Sequence, residues 1–143
     1  MEQKTTPASR TGGIYPLDEW YVAFVDFGSQ MVFQKCLKPG FRHCLAFSYD
    51  AVGERWVIVD PLFDGAFIRA LPSSEVDAFI AHYRIRGTIL RCRVKRTQIK
   101  RPRLLLTCVS VITNLLGVAT CAVTPYQLYR YLVRNGATPA FEG

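Results

Sequence analysis

Two β-rich runs set the strongest constraint on this chain: 41–49 (FRHCLAFSY) and 55–60 (RWVIVD), joined by Asp50-Ala51-Val52-Gly53. Short aromatic and β-branched runs on either side of a loop ending in Gly read as an antiparallel hairpin. With residues 50–53 as the loop, Tyr49 faces Glu54, and the same register puts His43 opposite Asp60. Facing residues hold their Cβ atoms about 5 Å apart, near enough for a carboxylate to orient an imidazole. A slip of one residue would turn one of the two to the other face. Pro61 is expected to stop the second strand, because it brings no N–H to a ladder.

Around this hairpin the other elements follow from local pattern. Residues 20–27 (WYVAFVDF) read as a strand, and 28–40 as an irregular stretch ending in the turn signal Pro39-Gly40. A short strand is expected over 66–70. A helix should start within Leu71-Pro72-Ser73-Ser74-Glu75, capped by Ser73 or Ser74, and end near Gly87. Val76, Phe79, Ile80 and Tyr83 would form its apolar face. Residues 88–96 alternate, with Arg91, Arg93 and Lys95 on one side and Leu90, Cys92 and Val94 on the other. Two further helices are expected over 107–116, ended by Gly117, and from Thr124-Pro125 to Asn135-Gly136. The fold class read from this order is α+β, a small antiparallel sheet with helices packed on it. A length of 143 residues suits one domain, here 14–143, behind a polar arm over 1–13.

Composition narrows the classes of function. The five cysteines are odd in number, irregularly spaced and without a CxxC pair, and the chain has only two histidines. A disulfide framework and a structural zinc site are both disfavoured, no cofactor is indicated, and a reducing compartment is expected. No apolar segment follows the first basic residue, so a signal peptide is not expected, and a cytoplasmic setting is. Residues 104–126 carry no charge, but Thr, Ser, Asn and Gly interrupt the run and Thr124-Pro125 restarts a helix. They read as a buried helix and connector rather than a membrane span.

The net charge of +7 is unevenly spread: ten of the eleven acids lie in the first 77 positions, and nine basic residues fall between 84 and 103. Arg91, Arg93, Lys95 and Arg96 are therefore candidate anion-binding residues. Aromatic stacking platforms are sparse there, which disfavours specific nucleic-acid recognition.

Cys108 falls where a helix should begin. A thiol there faces the positive end of the helix dipole and unused N–H groups, both of which favour the reactive thiolate. Joined to the His43–Asp60 pair, it completes a nucleophile, a base and an acceptor that orients the base. The other cysteines, Cys36, Cys44, Cys92 and Cys121, lie in or beside apolar runs and read as core thiols. By strand alternation Cys44 should point away from any site that His43 faces. His82 reads as a structural or surface residue.

The order GFRHCLAF, WVIVDP, LTCVSVITNLLG and TPYQLYRYL resembles circularly permuted relatives of NlpC-like cell-wall peptidases, and more broadly small papain-like cysteine enzymes, including phage-encoded ones. The resemblance implies a papain-like fold with Cys108 as nucleophile, His43 as base and Asp60 as the polar third member. It also implies a peptide or peptidoglycan substrate and a cytoplasmic or virion-associated thiol hydrolase or acyltransferase. Val109 beside the cysteine is neither the acid nor the aromatic that would mark a known subfamily, and no separate oxyanion side chain is matched, Gln30 being only a candidate. Two alternatives stand beside this reading. One is a non-catalytic structural or adaptor protein of a phage head or tail on the same scaffold; the other is a binder of anionic polymer or nucleic acid through 84–103.

Overall fold

The computed structural model describes residues 17–26, 35–62, 65–94 and 107–142. The arm expected over 1–13, together with Gln30, Lys95 and Arg96, lies outside the described residues. The elements are β1 (Glu19–Val25), β2 (His43–Asp50), β3 (Arg55–Leu62), β4 (Gly65–Pro72), α1 (Ser73–Arg86), β5 (Gly87–Arg93), α2 (Cys108–Leu115), α3 (Pro125–Arg134) and β6 (Thr138–Pro139). The strands form one six-stranded sheet, in the order β4-β3-β2-β1-β5-β6 with all neighbours antiparallel. The chain is thus α+β, as its pattern predicts. Helix α1 packs on one face of the sheet, and α2 and α3 pack on the other.

Strand β1 explains why both faces are covered. Val22 and Phe24 enter the core under α2 and α3, while Ala23 and Val25 enter the core under α1. A central strand buried on both sides carries an unbroken apolar run instead of polar alternation. Edge strand β4 is largely exposed, with Phe67 and Ile68 open to solvent. On α1 the buried residues are Val76, Phe79, Ile80 and Tyr83, as their spacing predicts. Its start differs from expectation: the cap position is Pro72, no side chain caps it, and Ser73 and Ser74 lie inside the helix. Pro72 is still paired with Arg55 in the sheet, so the helix begins directly from the strand and leaves no position for a capping serine.

The hairpin register is displaced by two residues from the expected one. Asp50 joins β2 and faces Arg55, so the loop is 51–54. The Asp50 carboxylate accepts the Val52 N–H at 3.0 Å, and Glu54 takes a φ of 53° to close the turn. A Cβ on Gly53 would sit 2.6 Å from Asp50 Oδ2, so the glycine makes room for that carboxylate. Pro61 does not end β3, which runs to Leu62 and pairs Pro61 with Ala66 of β4. Beyond Val59 the strand is no longer laddered to β2, so the missing N–H leaves no ladder bond unmade on that side.

Gly117 (φ 62°) and Gly136 (φ 93°) end α2 and α3 in the left-handed conformation. Strand β6, whose residues Thr138 and Pro139 pair with Arg91 and Leu90, carries no sequence signal because it is so short. The uncharged 104–126 segment includes α2 and the connector to α3. No helix among the described residues is long and apolar enough to cross a membrane.

Candidate active site

The site lies where two strands separate. The β2–β3 ladder runs from Asp50↔Arg55 to Ala46↔Val59 and stops. Beyond that point β2 stays paired with β1 as far as Val25↔His43, and β3 stays paired with β4 through Asp60↔Phe67. His43 and Asp60 therefore flank an opening in the sheet, each held by its outer neighbour. Their side chains close across it, His43 Nε2 lying 2.7 Å from Asp60 Oδ1. They meet despite the displaced register because a shift of two preserves the face and leaves a diagonal pair within reach of an imidazole.

Helix α2 starts at this opening. Its first turn is fixed by a capping box: Thr107 Oγ1 accepts the Ser110 N–H at 3.2 Å, and Ser110 Oγ accepts the Thr107 N–H at 2.8 Å. Val109 and Ile112 are fully buried against the sheet, which anchors the helix and leaves Cys108 half-buried at its start. The Cys108 thiol lies beside His43 and Cys44, both of which favour its thiolate. With Nε2 engaged by Asp60, Nδ1 is the nitrogen left for the thiol. Cys108, His43 and Asp60 thus converge.

Cys44 does not behave as strand alternation predicts. It lies in the core under α2 against which Cys108 packs, although its neighbour His43 also acts on that sulfur. Alternation assigns side chains to faces within a ladder, whereas His43 is the first residue of β2 and reaches Cys108 at the end of the sheet. Cys44 is the site residue that sequence reasoning misses. Its one signal is adjacency to His43.

Hydrogen bonding from Cys44 is the largest influence on Cys108. Burial opposes it, and the His43 hydrogen bond and charge add to it, so the thiol is lowered to about 5. Burial pushes His43 down, but its hydrogen bonds and charge interactions with Asp60 and Cys108 outweigh this and raise it to about 9. Between these values the pair is a thiolate beside an imidazolium. Burial foremost, then the Cys108 charge, holds Cys44 well above the ordinary thiol range. Cys92, buried on β5, is pushed up to about 12 by burial. Cys44 and Cys92 are core thiols as expected; Cys36 and Cys121 are not, since both are exposed. They sit in a short turn and in the α2–α3 connector, where proximity to apolar sequence does not bring burial.

The candidate anion face is partly neutralised within the fold. Arg91 Nη2 lies 2.6 Å from Glu19 Oε2, and Arg93 faces Glu19 in the β1–β5 register. His82 is exposed on α1, away from the site. Clefts of about 390 Å³ between β5 and the end of α3 and of about 580 Å³ beside Tyr21, Tyr49 and Trp56 lie away from Cys108.

No protein-family model matches the chain, and comparisons with curated proteins and with solved structures find no significant match.

Proposed function

We propose that this chain is a thiol hydrolase or acyltransferase acting through Cys108, His43 and Asp60. The observation that carries the reading is their convergence on one opening of the sheet, with the thiol lowered to about 5 and the imidazole raised to about 9. The Cys108 thiolate attacks an acyl carbon, and the tetrahedral oxyanion takes hydrogen bonds from the Cys108 and Val109 N–H groups at the start of α2, the Ser110 N–H being taken by the Thr107 cap. His43, held by Asp60, gives its proton to the leaving amine or alcohol. Water or an acceptor nucleophile then attacks the thioester, with His43 taking the proton back. A peptide bond, as in the peptide stems of peptidoglycan, is the substrate class carried by the papain-like, permuted NlpC-like resemblance. The same resemblance carries the proposed setting, cytoplasmic or on a phage particle.

The test is cleavage of peptidoglycan fragments and of an activated ester by the wild-type chain and by Cys108→Ala. Loss of turnover with the fold retained is the expected result; equal turnover sinks the reading. A second reading is a non-catalytic phage structural or adaptor protein on this scaffold. A reactive Cys108 with no bond cleaved would select it. Binding of anionic polymer through 84–103 is weakened by the Glu19–Arg91 ion pair. Salt-insensitive failure to bind DNA or RNA would remove it.

A further inference from the structure

The second sulfur at the site has no part in acyl transfer. Cys44 is fully buried in the core under α2, and Cys108 packs against that same core. Cys44 and Cys108 meet in that one packed cluster, and each acts on the other's ionisation. Packing alone does not require a second sulfur there, so the thiol calls for another explanation. One thiol is reactive and half-exposed; the other is enclosed and in contact with it. That arrangement suits capture of an oxidised sulfur by a neighbouring thiol.

We infer that Cys108 is a reversible oxidation site for hydrogen peroxide, with Cys44 as the resolving thiol that closes a Cys44–Cys108 disulfide. In the first step the Cys108 thiolate attacks one peroxide oxygen and the O–O bond breaks. The departing hydroxide takes a proton and leaves as water, and Cys108 becomes a sulfenic acid. In the second step Cys44 gives up its proton, aided by His43 beside the reacting sulfur, and its sulfur attacks that of Cys108. The S–O bond breaks, and hydroxide takes the proton and leaves as a second water. Two thiols have lost two electrons and two protons, and peroxide has been reduced to two waters. The bridge removes the nucleophile, fastens the start of α2 to β2, and keeps Cys108 from oxidation to the sulfinic acid. A dithiol reductant restores it. Cys92 is no alternative resolver on topological grounds, since β1 lies between its strand and β2.

The inference shares Cys108 with the acyl-transfer reading but does not rest on turnover. The experiment treats the full chain with equimolar hydrogen peroxide at neutral pH and follows it by intact mass and non-reducing peptide mapping. The expected product is lighter by two hydrogen atoms, carries a Cys44–Cys108 peptide and returns to its starting mass with dithiothreitol. In Cys44→Ser the mass should instead rise by oxygen atoms, and irreversible loss of the Cys108 thiol should be at least about tenfold faster. Sulfinic acid on wild-type Cys108 with no bridge would overturn the inference, as would a bridge from Cys108 to a different cysteine. Should Cys44→Ser not fold, the wild-type map still decides, with Cys36→Ser/Cys121→Ser removing the exposed thiols. A chain that forms the bridge but cleaves nothing would sink the acyl-transfer reading alone. One that cleaves substrate but only over-oxidises would sink this inference alone.

Discussion

The two ends of β2 have opposite roles. At Asp50 the strand stays paired with β3 to its last residue, its ladder to β1 having ended at Phe47, and the aspartate spends its carboxylate on the turn. At His43 the ladder to β3 has already stopped, and the polar side chains turn to one another and to Cys108. The residues at the two ends are equally polar; what differs is which neighbour remains, β3 at Asp50 and β1 at His43, and that the missing β3 ladder leaves His43 and Asp60 to close on each other. Chemistry here sits where pairing ends, because an imidazole and a carboxylate can approach a thiol only where no strand intervenes.

The sharpest way to break this contrast is at the open end. Cys108→Ala should abolish acyl transfer with the melting temperature little changed, as read by turnover beside thermal denaturation. His43→Ala should lower turnover by roughly 10²–10⁴, the usual worth of a positioned general base. Asp60→Asn should cost less, and should move the alkaline limb of the rate profile below about 9, since the carboxylate helps hold the imidazolium.

Gly87 tests the scaffold of that same end, because it shares Val25 as pairing partner with His43. A Cβ there would lie 1.9 Å from the Phe24 carbonyl, so Gly87→Ala must displace β1. An overpacking cost of about 1–3 kcal/mol or more is expected in denaturant unfolding, together with loss of activity. Stability unchanged would mean that β1 and β5 yield at that row.

Iodoacetamide labelling sharpens the comparison by pH. A thiol at about 5 is already ionised at pH 6, so the Cys108 rate should stay nearly flat from pH 6 to 8, whereas that of an ordinary exposed thiol should rise about tenfold per unit. At pH 6 the gain in thiolate fraction, discounted for the weaker nucleophilicity of a low-pKa sulfur, leaves Cys108 roughly tenfold ahead of Cys121. Equal slow labelling would remove the thiolate. The smallest effect belongs to the closed end. Asp50→Ala should lower stability by about 1 kcal/mol through loss of the Val52 hydrogen bond and leave labelling and turnover unaltered.

The candidate site was legible to the extent that its signals are local or periodic. Thr107 and Thr124 announce their helices because capping is a short-range matter of side chain and backbone. Val76, Phe79, Ile80 and Tyr83 follow from helical spacing alone. The His43–Asp60 pair follows even from a register displaced by two, because side chains alternate with that period. What escaped depends on tertiary context. Sequence does not say where a ladder stops, so alternation turns Cys44 away from the site and Pro61 reads as a terminus. Nor does hydropathy distinguish Cys121, exposed in a connector, from Cys92, buried in a strand.

Cys108 is the first residue of α2, in a terminal turn tied by the capping box, by the Val111 N–H to the Thr107 carbonyl and by burial of Val109. Such turns fray without global unfolding. Each opening would carry the sulfur away from Cys44 and His43 and return it to the state of a common thiol. The reactivity of Cys108 therefore doubles as a gauge of local opening, so a mild rise in temperature or a weakened cap at Thr107 should dim the site well before the sheet melts.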